Sequence, residues 1–360
     1  MGPTSIISII HDKPFEQVRK ILTESPYHLS VSDEDDMYML NFTDNSDLKN
    51  PVCREANGTI FQKDTNKLLH YSFAKTFDGF SETSKDVFEC DKVNDHSVEK
   101  NGHEIPFTIQ LFTEGSLIKV FYHDSEWKVA TSHRINAAFS FGGSKSFKEM
   151  LFEAFDETGL SYTDLVDAER FCYTLILQHP ENHICTDIRV PFTALLNKVN
   201  LTDYSETNLA DGYLMDKPLS YFKDTNINIL LFIGGDRVKI LSSEYVADKQ
   251  LLGNHSNVKC IYLNCVREGN RDYVRKRLQS KLNIFDAIDK RIEEEISLIF
   301  YEYKIRHVER RKLDIITAHR KIIYQLHGDY IVSRVPINKQ AVYDKLFSLP
   351  TQKLLWILDF

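Results

Sequence analysis

The feature that most constrains this chain is a change of hydrophobic period along its length. From about residue 38 to 263 the apolar residues alternate or cluster in runs of about strand length. After about 266 they recur at helical spacing. Met37–Phe42 alternates, and Gly58–Gln62 is a short apolar run. Leu117–Tyr122 and Trp127–Thr131 alternate on either side of His123-Asp124-Ser125-Glu126, the pattern of a β-hairpin with a polar turn. Phe171–Leu177, Asn228–Ile233 and Val258–Leu263 read as buried strands. Phe15–Thr23 has helical character. So does Ser146–Thr158, where Ser146 and Glu149 make a capping box and Gly159 follows the end. Ser32–Asp36 reads as a solvated acidic turn.

Beyond residue 266, Arg271–Leu282 and a long charged segment, Ala287–Lys321, read as helices. Ile292, Ile296, Ile299, Phe300, Ile305 and Val308 give the second an apolar face. The expected plan is α+β, with a body over 1–265 and an all-α domain over 266–360.

Charge divides in the same place. The 360 residues carry a net charge of −8. Residues 266–360 hold 19 Lys/Arg against 13 Asp/Glu, which leaves 25 against 39 in the body. This balance excludes a protein coated in nucleic acid but not one with a local basic groove. Arg306, Arg310, Arg311 and Lys312 fall within about two turns of the expected helix. They are read either as a solvated face or as an RNA-backbone patch. The six cysteines form no CxxC and read as reduced thiols, so no metal site is expected of them. No apolar run reaches the ~18–20 residues of a membrane span, and the first residues lack signal-peptide character. The expected location is cytoplasmic, or the virion if the source is viral.

Six stretches, in order, resemble the ATP-dependent RNA ligases of the bacteriophage RNA ligase 1 type. They are Cys53–Phe61, Phe73–Asp78 with Glu82, Phe112–Lys119, Leu175–Ile184, Asp211–Leu214 and Val238–Tyr245. The third is similar to nucleotidyltransferase motif I, Lys-x-Asp-Gly-Ser-Leu-Ile. The fourth is similar to motif III, the fifth to motif IV and the sixth to motif V. The resemblance implies a nucleotidyltransferase body of ATP-grasp-like antiparallel sheets with helices, followed by the family's helical domain. It implies ATP and Mg as cofactors, RNA as partner, and a role in RNA repair.

Carried over position by position, the resemblance places Phe112 where the family has its nucleophilic lysine. A phenylalanine cannot attack the α-phosphate of ATP. Asn57 stands for an arginine, Ile176 for the motif III glutamate and Leu241 for the second motif V lysine. Lys75, Glu114, Gly115, Ser116, Asp211, Gly212 and Lys239 keep the nucleotide-binding pattern. Each also has a plain reading: Lys75 as a surface lysine, Glu114–Ser116 and Asp211–Gly212 as turns, Lys239 as a solvent-facing strand residue. A pseudoenzyme that binds RNA, nucleotide or a protein partner is the leading expectation, so whether the chain is an enzyme stays open. The alternatives are an active ligase using a displaced lysine, Lys119 or Lys75, and a scaffold that meets its partner through the C-terminal helices.

Overall fold

The computed structural model describes residues 2–80, 87–140, 144–182, 185–208, 217–222, 225–253, 257–312 and 314–360. The chain is α+β, with antiparallel sheets followed by a helical C-terminal region. It divides into two compact units, Met1–Ile184 with Ile188–Lys249, and Cys185–Asp187 with Gln250–Phe360.

The first unit opens with α1 (Thr4–Ile10) and α2 (Phe15–Thr23), then β1 (Ser30–Glu34), β2 (Met37–Asn41), α3 (Pro51–Glu55), β3 (Asn57–Gln62) and β4 (Leu68–His70). These four strands form one sheet in the order β1-β2-β3-β4. The Met37–Phe42 stretch does not alternate between core and solvent. Met37–Asn41 is buried throughout, because the side chains of this inner strand share a core with α1 and α2 and with Phe121 and Ala130 of the middle sheet. Nor is the acidic stretch at 32–36 all turn. Ser32–Glu34 belong to β1, and Arg19 and Lys63 both pair with Asp33.

The chain continues through β5 (Lys92–Val93), β6 (Ser97–Lys100), β7 (His103–Leu111), β8 (Ser116–His123) and β9 (Glu126–Thr131). Next come α4 (Phe147–Thr158), β10 (Phe171–Gln178), β11 (Phe192–Asn200), β12 (Glu206–Asn208), α5 (Leu219–Phe222), β13 (Ile229–Ile233) and β14 (Asp236–Ile240). They build two five-stranded sheets, ordered β12-β11-β10-β8-β9 and β14-β13-β7-β6-β5. The expected hairpin is β8–β9, and its turn residues Asp124 and Ser125 have φ of 51° and 62°. The expected capping box starts α4, and Gly159 ends it at φ 72°.

Alternation along β8 decides how the middle sheet packs. Ile118 and Val120 point to one face and join a core with Met150, Leu151 and Ala154 of α4. Lys119, Phe121 and His123 have the opposite parity, and Phe121 joins the core formed with β1–β4. In the third sheet Ile109, Leu231 and Val238 form a separate core with Leu219 and Phe222 of α5.

The division between the units falls within α6 (Ser243–Leu252), and the second unit continues as α7 (Val258–Arg267), α8 (Arg271–Arg277), α9 (Leu282–Tyr303), α10 (Thr317–Ser333), α11 (Lys339–Phe347) and α12 (Thr351–Ile357). Val258–Leu263, expected as a strand, is therefore helical. The Asn257 side chain caps α7 by accepting from Lys259 N at 2.9 Å, and Tyr262 stacks on Phe285 at 4.2 Å. A short apolar run alone cannot distinguish the two forms.

The long helix expected over 287–321 is interrupted. It ends at Tyr303, passes through a π turn at Lys304–Val308, and resumes at Thr317. A buried polar clasp accounts for the fold-back. His319 bonds Glu302 through Nδ1 at 2.7 Å and Glu295 through Nε2 at 3.0 Å, and Ile316 N donates to Glu302 at 3.1 Å. No helix among the described residues is long and apolar enough to cross a membrane.

Candidate phosphate-binding site

The third sheet carries the most informative row of residues. Leu230 of β13 pairs with Gln110 of β7 and with Lys239 of β14. Directly opposed residues point to the same face, so these three share the face opposite the Ile109–Leu231–Val238 core. Phe112 N donates to Asn228 O at 2.9 Å, extending the pairing one residue beyond Leu111. By the same parity Phe112 lies on the face of Lys239, about 12 Å away across two strand spacings and two residues along.

The ring of Phe112 meets Tyr245 edge-on, with centroids 6.4 Å apart. Tyr245 in turn donates its hydroxyl to Glu114 Oε1 at 2.6 Å. Asn228 also sets the start of α6, since its side chain accepts from Ser242 N at 2.8 Å and Ser242 Oγ accepts from Tyr245 N at 3.2 Å. Phe112, Glu114 and Tyr245 are thus held together by one short network.

The turn before β8 leaves no space for a side chain at Gly115. A Cβ there would lie 2.5 Å from Ile176 Cγ1 and 2.8 Å from Leu177 O. The turn is further tied to the end of β10. Gln178 donates to Glu114 O at 2.6 Å, and Asn182 donates to Ser116 Oγ at 2.7 Å. Ile176 is therefore an apolar wall against Gly115.

Lys75 and Lys239 come together. Lys239 N donates to Phe77 O at 3.0 Å, and Phe77 N donates to Arg237 O at 2.9 Å, which lays the 75–78 segment along β14. Burial, reinforced by the neighbouring positive charge of Lys75, pulls Lys239 down to about 8. Lys239 also pairs with Asp78. Arg54 braces the backbone of this segment. It donates to Asp236 at 2.8 Å and to Lys75 O at 3.3 Å, with its guanidinium 4.0 Å from the Phe77 ring centre. Leu241, the degenerate motif V position, is half-buried one residue beyond β14.

Lys119 faces neither solvent nor this group. It is fully buried, and its Nζ donates to Asn57 O at 2.7 Å and to Gly58 O at 2.6 Å. Desolvation brings it down to about 7. Gly58 has φ 71°, and a Cβ there would lie 2.2 Å from Nζ. Asn57 itself donates to Phe73 O at 3.3 Å. The parity that Lys119 shares with Phe121 already carried the signal that it points into the core.

Asp211 and Gly212 lie outside the described residues. Arg306, Arg310, Arg311 and Lys312 are all exposed, but they do not share a helix face. Arg306 is in the π turn, and the other three follow it in non-helical chain, with Arg310 at φ 55°. The Glu114–Tyr245 contact was not foreseen, because the two residues are 131 positions apart.

The sequence matches no protein-family profile and no curated protein. Solved structures similar in fold include two forms of an archaeal ATP-dependent RNA ligase. One is 12% identical with a TM-score of 0.41, covering 69% of this chain and 67% of that one. The other is 11% identical with a TM-score of 0.41, covering 96% and 81%. A putative ATP-dependent DNA ligase from Aquifex aeolicus is 11% identical with a TM-score of 0.40, covering 78% and 80%.

Proposed function

We propose that this chain is an RNA-ligase-like protein that binds phosphorylated RNA ends or nucleotide without forming a lysine–AMP intermediate. The observation that carries this reading is that Phe112, which the sequence resemblance aligns with the motif I lysine, shares the sheet face of Lys239. Self-adenylylation needs an amine there to attack the α-phosphate and expel pyrophosphate. A benzyl side chain offers no lone pair. Lys75 and Lys239 supply positive charge for a phosphate, which would take the place of Asp78 on Lys239. These residues fit a nucleotide phosphate, and ATP when bound would supply only that ligand chemistry. They do not fit the catalytic metal. Glu114 is engaged by Tyr245, Asp78 by Lys239, and Ile176 contributes no oxygen. In this reading the exposed basic segment at 306–312 adds sequence-independent contacts to the RNA backbone.

One observation favours the second reading, an active ligase with a displaced nucleophile. Lys119 is brought down to about 7, within the range of a reactive amine. Against it stand its complete burial and its two carbonyl partners.

Labelled ATP with a divalent metal, followed by peptide mapping, separates the two. The proposal expects no lysine-linked AMP in the native protein and RNA binding that weakens with salt. A stoichiometric adduct on any lysine, Lys119 included, would overturn it.

A further inference from the structure

At the far end of β8 from Gly115, eight residues and about 26 Å along the strand, the β8–β9 turn meets the β1–β2 turn. His123 Nε2 lies 2.8 Å from Asp36 Oδ2 and 3.6 Å from Asp124 Oδ2. One ligand atom from each of the three residues falls within 4.8 Å of the others. We propose that Asp36, His123 and Asp124 form a binding site for a divalent transition-metal ion of the zinc type. The ion would clip the first sheet to the second.

The three side chains carry an imbalance of charge. A single imidazole nitrogen serves one carboxylate well, and Asp36 has it. Asp124, at 3.6 Å, is beyond hydrogen-bond range of the same atom. Two carboxylates therefore converge on one nitrogen. The neighbouring acids have cations: Asp33 has Arg19 and Lys63, and Glu126 has Lys128. Lys128, whose charge also reaches Asp124, is itself paired with Glu126. A divalent ion would neutralise both converging carboxylates at once.

The geometry suits it. Tetrahedral bonds of about 2.0–2.2 Å place ligand atoms about 3.3–3.6 Å apart. The His123–Asp124 pair at 3.6 Å already has that spacing, and the His123–Asp36 pair at 2.8 Å would open slightly to admit the ion. The His123 side chain is 8% exposed and held by its strand, whereas that of Asp124 is 70% exposed and can rotate inward. Asp36 is fixed by its turn, since Asp36 O accepts from Lys63 N at 2.7 Å. Three protein ligands with an open solvent side leave the remaining coordination to water. An imidazole donor selects zinc or cobalt over magnesium or calcium.

The test uses the full chain stripped with a chelator. Zn²⁺ is titrated against a chromogenic competitor, Co²⁺ is followed by its visible absorption, and Mg²⁺ is the control. The expected result is one Zn²⁺ per chain, a raised thermal midpoint, and at least tenfold weaker binding in Asp124→Asn and His123→Gln. Asp124 is exposed, so its variant reports on binding even if His123→Gln does not fold. The proposal is overturned by unchanged Zn²⁺ affinity in Asp124→Asn, or by equal competition from Mg²⁺. It is also overturned by a thiolate-to-cobalt charge-transfer band, which would place the ion on the free cysteines.

Discussion

Lys119 Nζ donates to the carbonyl of Gly58 at 2.6 Å, a contact between residues 61 positions apart that joins the middle sheet to the first strand sheet. The ammonium sits where any side chain on residue 58 would have to be. Glycine at 58 and lysine at 119 are therefore two halves of one packing solution.

Gly58→Ala tests that directly. The new Cβ would meet Nζ at 2.2 Å and would force alanine to adopt φ 71°. Left-handed strain and overpacking together predict a loss of about 2–4 kcal/mol. Urea unfolding of the variant beside the native protein measures it.

Lys119 also gives stability a pH dependence. Its folded value is about 7 against 10.5 for the free side chain. Between those values the unfolded chain binds more protons, so stability rises with pH through that window, by up to about 1.4 kcal/mol per unit from this group. Below about pH 7 both states are protonated and the contribution is flat. Lys119→Met should remove that slope, whatever its effect on overall stability. Denaturation midpoints from pH 6 to 10 would show it.

Lys239 makes a prediction about ligands. Its positive charge fades as pH rises through about 8. Binding of 5′-phosphorylated single-stranded RNA should weaken across that range. Lys239→Gln should flatten the pH response and lower the slope of log K against log salt by about one unit. Fluorescence anisotropy over a salt and pH grid reads both effects.

Phe112→Lys restores an amine at the motif I position. Because Asp78 is tied to Lys239 and Ile176 offers no oxygen for a metal, the variant should remain without an AMP adduct, as the native protein does. Intact-mass spectrometry after incubation with ATP and Mg²⁺ gives the answer as a mass shift.

In the helical unit, His319→Leu should cost about 3–5 kcal/mol, because it leaves Glu295 and Glu302 buried without their shared partner. Thermal unfolding monitored by circular dichroism is the measurement.

The elements legible in the sequence were those whose cause is local. The β8–β9 hairpin and α4 were readable because their turn and cap residues lie within a few positions of each other. That Phe112 and Lys239 share one face comes from the β7–β13–β14 register, which joins segments more than a hundred positions apart. What could not be read depends on distant partners. The Val258–Leu263 run is apolar enough for a strand, and its helical form rests on a cap and on stacking against Phe285. The break after Tyr303 lies in a segment whose charge pattern continues smoothly. Its cause is a histidine that reaches back to two glutamates on the preceding helix.

That clasp separates covalent continuity from structural continuity. The stretch carrying Arg310, Arg311 and Lys312 is exposed and non-helical, the form in which a trypsin-like protease takes its substrate. Glu295 and Glu302 lie on one side of it and His319 on the other. A single cut there would yield two fragments on a denaturing gel, yet α9 and α10 would stay together in native solution, held by side chains after the backbone between them had been severed.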